Sequence, residues 1–294
     1  MADTSFVNSD LSAETSSRLL LTHALDLDLI RASHAIALPR VQAENSSYKL
    51  RSAVSKEDRD AACRLRFRVF NVELGEGLES SYETGLDQDR FDPCCEHLIV
   101  EERATRRVVG TYRMQSGLSA AQHAGYYSEQ EFVLAPYEPL RAGVLELGRA
   151  AVDREHRTPE VLTLLWRGIA QYASQMGLRY LIGCSSMNSN DPAEGWRMFR
   201  HLEKFRVPRE FETVPTEAYA CPVEQKDITA QAQQAPPAPV KIPKLLKTYL
   251  ALGARIAAPP AWDREFRTID FLTLLDLESL APAARCRFFG PMKP

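Results

Sequence analysis

Between residues 143 and 205 the hydrophobic pattern changes period three times, and this narrows the folds open to the chain. The run GVLELGRAAVD reads as a strand. PEVLTLLWRGIAQYASQMG follows at helical spacing, with Pro159 tolerated in a first turn and Gly177 suited to a helix end. LRYLIGCSS reads as a second strand. DPAEGWRMFRHLEKF then opens another helix, with Asp191 as cap, Pro192 in the first position and Glu194 at capping-box spacing. A strand–helix–strand crossover joins parallel neighbours. Just upstream, EHLIVEE and RRVVGTYRMQS read as an antiparallel pair turning near Ala104. The expected class is mixed α/β (α+β).

The flanking segments fit around that unit. YKLRSAV at 48–54 reads as a short strand, and residues 56–74 carry Ala61, Ala62, Leu65, Val69 and Phe70 near one helical stripe. Gly75, Gly77, Gly85 and Pro93 mark a long loop, and loops of that length in compact domains are often functional. IPKLLKTYLALGARI and FRTIDFLTLLDL read as a late helix and strand. Residues 1–13 are polar and aperiodic, whereas 16–37 have helical spacing. The Gln/Ala/Pro-rich stretch 223–240 reads as a surface excursion. The expected division is an N-terminal extension over 1–45, partly disordered and then helical, and a single domain over 46–289.

Several classes are excluded by what is missing. Lys and Arg total 36 against 39 Asp and Glu, so no basic field points to a nucleic-acid partner. The six cysteines form no CxxC pair and read as reduced thiols of a cytoplasmic protein. No secretory leader is recognisable, and no apolar run is long enough to span a bilayer. Nucleophile elbow, phosphate loop and His/Cys metal spacing are all absent, so no metal and no resident cofactor is expected. One HxxxxD, His23 to Asp28, occurs in a setting so short that chance accounts for it.

The strand GVLELGRAAVD nevertheless carries Glu146 and Arg149 in its middle. Charges there cost several kcal/mol, of order ~3–5, unless they are paired. Residues three apart on a regular strand face opposite ways, so each needs its own partner. Asp89 or Asp92, in DQDRFDP, would serve Arg149, and Arg66 or Arg113 would serve Glu146. Two readings follow: a structural network of ion pairs, or a carboxylate-lined pocket for an amine with one acid as general base.

The order RLRFRVF, DQDRFD, HLIV, VVGTYRM, LELGRAAV resembles the acyl-homoserine-lactone synthases of the GNAT superfamily, and more closely their relatives that acylate free amino acids. FDPCCEHLIV, GYYSEQEFVL, GLRYLIGCSSM and IPKLLKTYLALGARI extend the likeness over residues 46–289 to the ornithine lyso-lipid, hemolysin-like acyltransferases. The resemblance implies a mixed sheet splayed between two parallel strands, here 143–152 and 179–184, with the acyl thioester in the gap. It implies transfer of a long, 3-hydroxylated acyl chain from acyl carrier protein to the α-amine of an amino acid, ornithine being favoured and glycine or tyrosine the alternatives. Lyso-ornithine lipid would be the product.

Under that resemblance Glu146 is the base, while Arg66, Phe70, Asp89, Asp92, Arg113 and Arg149 form the shared core. Arg149 and Arg113 would hold the substrate carboxylate; Asp89 and Asp92 would bind a side-chain ammonium or order the loop. Cys184 reads as a packed small side chain, with direct attack rather than an acyl-enzyme. The superfamily's R/Q-x-x-G-x-G/A phosphate loop reads Arg157, Thr158, Pro159, Glu160, Val161, Leu162, and loss of both glycines favours a carrier-protein donor over acyl-CoA without excluding the latter. Arg154, Arg157, Arg200 and Lys204 would dock the acidic carrier. The segment 241–262, mixing Lys241, Lys244 and Lys247 with Leu245, Leu246, Leu250 and Trp262, reads either as a packing helix with a basic outer face or as an interfacial helix on the inner, anionic face of a membrane. A lactone synthase using S-adenosylmethionine, and a non-catalytic lipid- or carrier-binding scaffold, are the competing functions.

Overall fold

The computed structural model describes residues 39–222 and 240–289. The helical spacing at 16–37, the His23/Asp28 pair and most of the low-complexity stretch at 223–240 lie outside the described residues. The compact unit starts at Arg40 rather than at residue 46, because Gln42–Glu44 already forms a strand of the sheet.

The strands are β1 (Gln42–Glu44), β2 (Tyr48–Ser52), β3 (Glu96–Glu102), β4 (Val108–Ser116), β5 (Val144–Val152), β6 (Tyr180–Met187), β7 (Arg255–Ile256), β8 (Ala261–Asp263) and β9 (Thr268–Asp276). They form one sheet in the order β1-β2-β3-β4-β5-β6-β9-β7, with β8 also on β9. Every pair is antiparallel except β5 with β6. The α-helices of eight residues or more among the described residues are α1 (Lys56–Phe67, continued as a π-helical stretch Arg68–Leu74), α2 (Pro159–Met176), α3 (Pro192–His201), α4 (Lys244–Leu252) and α5 (Pro282–Phe289).

Helix α2 makes the crossover between the parallel strands. Its start is set by the Thr158 hydroxyl accepting from the Val161 amide and by Pro159, and its end by Gly177 at φ 65°. Val161, Leu164, Leu165, Ile169 and Ala173 face the sheet and pack with Leu50, Leu98, Val100 and Leu145. Gly168 lets the helix sit close: a Cβ there would meet Leu50 and Leu98 methyls at 2.8 and 2.9 Å. α3 starts as expected at Asp191, but the carboxylate caps the Ala193 amide at 2.9 Å while Glu194 turns to Ser189, so the box stays open.

The parallel pair is short. Only Val144, Leu145 and Glu146 are in register with Tyr180, Leu181 and Ile182. From Leu147 onward β5 follows β4, and from Gly183 onward β6 follows β9. At the parting the two backbones pass close together, and a Cβ on Gly183 would collide with the Leu147 carbonyl oxygen. The sheet thus opens as a V with Glu146 in the last paired position.

Candidate active site

Glu146 is 6% exposed. One carboxylate oxygen accepts the Tyr127 amide at 2.8 Å; the other accepts the Ser128 amide at 2.8 Å and the Ser128 hydroxyl at 2.5 Å. Neither Arg66 nor Arg113 pairs with it, contrary to expectation, because both guanidiniums are engaged elsewhere. The turn Tyr127–Gln130 supplies these donors through its opening amides, which have no partner within so short a helix. Burial raises the Glu146 carboxyl above the ordinary range, and the Ser128 hydroxyl and two amides oppose that rise. An acid held so has the affinity for protons that a general base needs.

The arginines form a second layer. Arg66, fully buried, donates to both Asp92 oxygens at 2.7 and 2.9 Å and to Asp87 at 3.1 Å, and also bonds the Asp87 carbonyl. Arg113 grips Asp89 at 2.7 Å and lies 3.5 Å from Asp92. Burial pushes the Asp92 carboxyl up, but Arg66 and then Arg113 outweigh it and hold it well below the usual carboxylate range. Asp89 and Asp92 are thus paired with arginines, an arrangement that ties the loop 75–93 to α1 and β4.

Arg149 escapes the alternation expected of a strand. Strand β5 bulges against β4 between Thr111 and Arg113, and Arg149 takes φ 51°. A bulge re-aims the side chains that follow it. The result is that Glu146 and Arg149 both reach Tyr127, one through its amide and one at 5.6 Å from its ring. The Arg149 guanidinium also stacks on Phe266 at 4.4 Å and sits 3.5 Å from Asp87 and Asp89. Its Nε is buried without a hydrogen-bond partner.

A cavity of about 950 Å3 fills the V. Phe70, Arg113, Glu146 and Arg149 line it; Arg66, Asp89 and Asp92 stand behind its wall. From Glu146 the lining continues past Leu162, Leu165, Trp166, Tyr249 and Phe288, an apolar wall built by α2, α4 and α5. Arg157 is at the rim, held bidentately by Glu73 at 2.7 Å, and Arg154 is exposed beside it. Arg200 and Lys204 are exposed but belong elsewhere: the Lys204 carbonyl accepts from Arg255 on β7, three strand positions from β5. Leu246 and Leu250 of α4 are packed in the core, leaving Lys241, Lys244 and Lys247 outermost.

Sequence reasoning missed the second acidic group of the site. Glu131, Asp263 and Asp270 bring carboxylate oxygens within 4.8 Å of one another, and the latter two line the cavity. Asp270 interrupts the apolar strand FRTIDFLTLLDL just as Glu146 interrupts its own, so the same signal was present. Ser128 and Tyr127 had no signal beyond their place in GYYSEQEFVL.

Cys184 also lines the cavity, with Sγ 3.6 Å from the Ser128 hydroxyl. Burial first, then the charges of Glu131 and Asp270, push its thiol well above the ordinary range. A thiol so protonated is a poor nucleophile. Cys184→Ala is expected to retain kcat/KM within about threefold, measured by product formation, since the change is that of a small packed side chain; loss of turnover would instead require an acyl-enzyme.

A mixed sheet parted between two parallel strands, a buried acid at the parting and an apolar cavity below it define an acyltransferase of the GNAT type, and the model of the acetyltransferase (GNAT) domain matches residues 65–167. The chain is 31% identical over 253 residues to the L-ornithine N(alpha)-acyltransferase of Rhodobacter capsulatus, covering 81% of this chain and 93% of that one. It is 31% identical over 260 residues to the enzyme of the same name from Brucella abortus, covering 84% and 89%. It belongs to the L-ornithine N(alpha)-acyltransferase family and is an enzyme. Among solved structures, the AHL synthase LasI aligns over 85% of this chain and 98% of its own at 11% identity, TM-score 0.47.

Proposed function

We propose that this protein transfers a long, 3-hydroxylated acyl chain from acyl carrier protein to the α-amine of L-ornithine, giving lyso-ornithine lipid. The observation that carries the reading is the cavity itself. At about 950 Å3 it lies at the top of the range of roughly 300–1,000 Å3 usual for ligand pockets, and it joins an apolar wall to the buried Glu146 at the parting, with Asp263 and Asp270 also in its lining. The names of the curated relatives support ornithine as the acceptor.

In the reaction the amine lone pair attacks the thioester carbonyl. The N–C bond forms, the C–S bond breaks, and the carrier leaves as a thiolate. Glu146, directly or through a water, takes the proton from the amine and returns it to the thiolate or solvent. Backbone amides on the edge of β5 that β6 no longer pairs would receive the carbonyl oxygen as charge develops there. Arg149, with its free Nε and its place in the wall, would hold the substrate carboxylate. Arg113 is spent on Asp89 and supports the wall. A carrier-protein donor agrees with the helix start at Thr158–Pro159, where Pro159 offers no amide and Glu160 adds a negative charge where a diphosphate would lie.

Purified protein assayed with 3-hydroxyacyl carrier protein and with the matching acyl-CoA, each against ornithine, glycine and tyrosine, tests all parts at once. The carrier donor with ornithine is expected to be fastest. A preference for acyl-CoA would remove the donor assignment, and ornithine as the slowest acceptor would remove the acceptor.

A further inference from the structure

We infer that Glu131, Asp263 and Asp270 form the subsite that takes the side-chain ammonium of the acceptor amino acid. The inference rests on the ornithine reading above and names how the second amine is recognised.

The three residues are 1%, 2% and 3% exposed. Both Glu131 oxygens and Oδ1 of Asp270 are buried without a hydrogen-bond partner among the described residues. Asp263 Oδ1 accepts the Glu265 and Phe266 amides, which fixes it in the cavity wall beside the ring that stacks on Arg149. No Lys or Arg among the described residues is within ion-pair distance of these carboxylates, in contrast to Asp87, Asp89 and Asp92, each held by arginine. Buried carboxylates without a cation are costly, and a site shared by like charges resists full ionisation. Burial, then the charges of Asp270 and Asp263, push the Glu131 carboxyl well up; burial raises Asp270 to about 6. A cation entering from the cavity would relieve both.

Position selects the cation. Asp270 is in register with Ser186, two residues beyond Cys184 on β6, or roughly 7 Å along the strand. Cys184 touches Ser128, and Ser128 holds Glu146. An amino acid whose α-amine is at Glu146 would therefore send a three-carbon side chain toward the acids. A primary ammonium has three N–H donors, which Asp263 and Asp270 would meet at the cavity wall with Glu131 close behind them. Divalent metals would ask for six or more oxygens, more than the three carboxylates supply by one ligand atom each.

The test compares L-ornithine with L-norvaline, which has the same carbon chain but no terminal amine, in the wild type, Asp270→Asn and Glu131→Gln. The wild type is expected to favour ornithine by about 100-fold or more in kcat/KM. Each variant is expected to lose roughly 100-fold on ornithine, mostly through KM, and to keep its norvaline activity within about threefold. Norvaline turnover also reports that the variant is folded. Equal losses on both substrates would overturn the subsite alone, since wild-type ornithine turnover would still stand. Loss of activity to a chelator with recovery on adding Mg2+ or Ca2+ would replace the ammonium with a metal ion. A wild type that prefers norvaline would overturn the subsite and the ornithine reading together.

Discussion

Glu146→Gln is expected to lower kcat/KM for amine acylation by about 10²–10⁴-fold, the usual contribution of a positioned general base. The substitution keeps the volume and leaves Ser128 and the Tyr127 amide near their places, so the fold should persist. The pH profile supplies the mechanistic part. The Glu146 carboxyl is raised by burial and is effective as a base only when ionised, so wild-type kcat/KM should fall as pH drops through that raised value. The amine adds a second rise at higher pH, because free α-amines are protonated below about pH 8. In Glu146→Gln the lower limb should vanish and the amine limb remain. A variant with both limbs intact and near-normal rate would place the base elsewhere.

The second large effect concerns stability. Arg66→Met is expected to destabilise the protein by about 3–5 kcal/mol in denaturant unfolding, because it leaves Asp87 and Asp92 buried without their principal cation. The sign with pH follows from Asp92. Its folded carboxyl is held below the unfolded value, so its contribution is present above that unfolded value, about 3.9, and is lost as pH falls through the folded one. The deficit of Arg66→Met should therefore be largest near neutral pH and shrink toward acid, where Asp92 can accept a proton. A deficit under about 1 kcal/mol would mean that Arg113 can hold Asp92, and Arg149 Asp87, without it.

The sequence-level reading of the fold succeeded where periodicity was strong. Pro159 and Gly177 bracketed α2, and the alternation of strand and helix over 143–205 correctly announced the parallel pair. It failed where a local backbone event changed the rule. Regular alternation puts Glu146 and Arg149 on opposite faces, but the β5 bulge and the positive φ of Arg149 turn both toward Tyr127. Such an event depends on how β4 and β5 register, which no single strand encodes. Partner choice was similarly hidden. Arg66 could be placed near the acids of the loop, but nothing in its neighbours showed that it would take Asp87 and Asp92 together and leave Glu146 to backbone amides. Leu246 and Leu250 read equally as membrane-facing or core; only the packing of α4 against α3 and β9 assigned them to the core.

Glu131, Asp263 and Asp270 show a related limit. They come from a turn after β4, a short strand and the last long strand, so their convergence is a property of topology. A charge inside an apolar strand was the same clue that singled out Glu146. Asp270 carries it too, and the two acids mark the two ends of the proposed acceptor pocket.

The central claim is that an acid at the point where β5 and β6 part draws the proton from the α-amine of ornithine beside a carrier-held thioester. The most direct measurement is mass spectrometry of the product made from 3-hydroxyacyl carrier protein and ornithine carrying ¹⁵N at the α position only, with wild type and Glu146→Gln side by side. The expected result is an acyl chain on the labelled nitrogen in the wild type and a yield reduced by at least about 100-fold in the variant. Acylation of the unlabelled side-chain nitrogen, or equal yields from the two proteins, would contradict it.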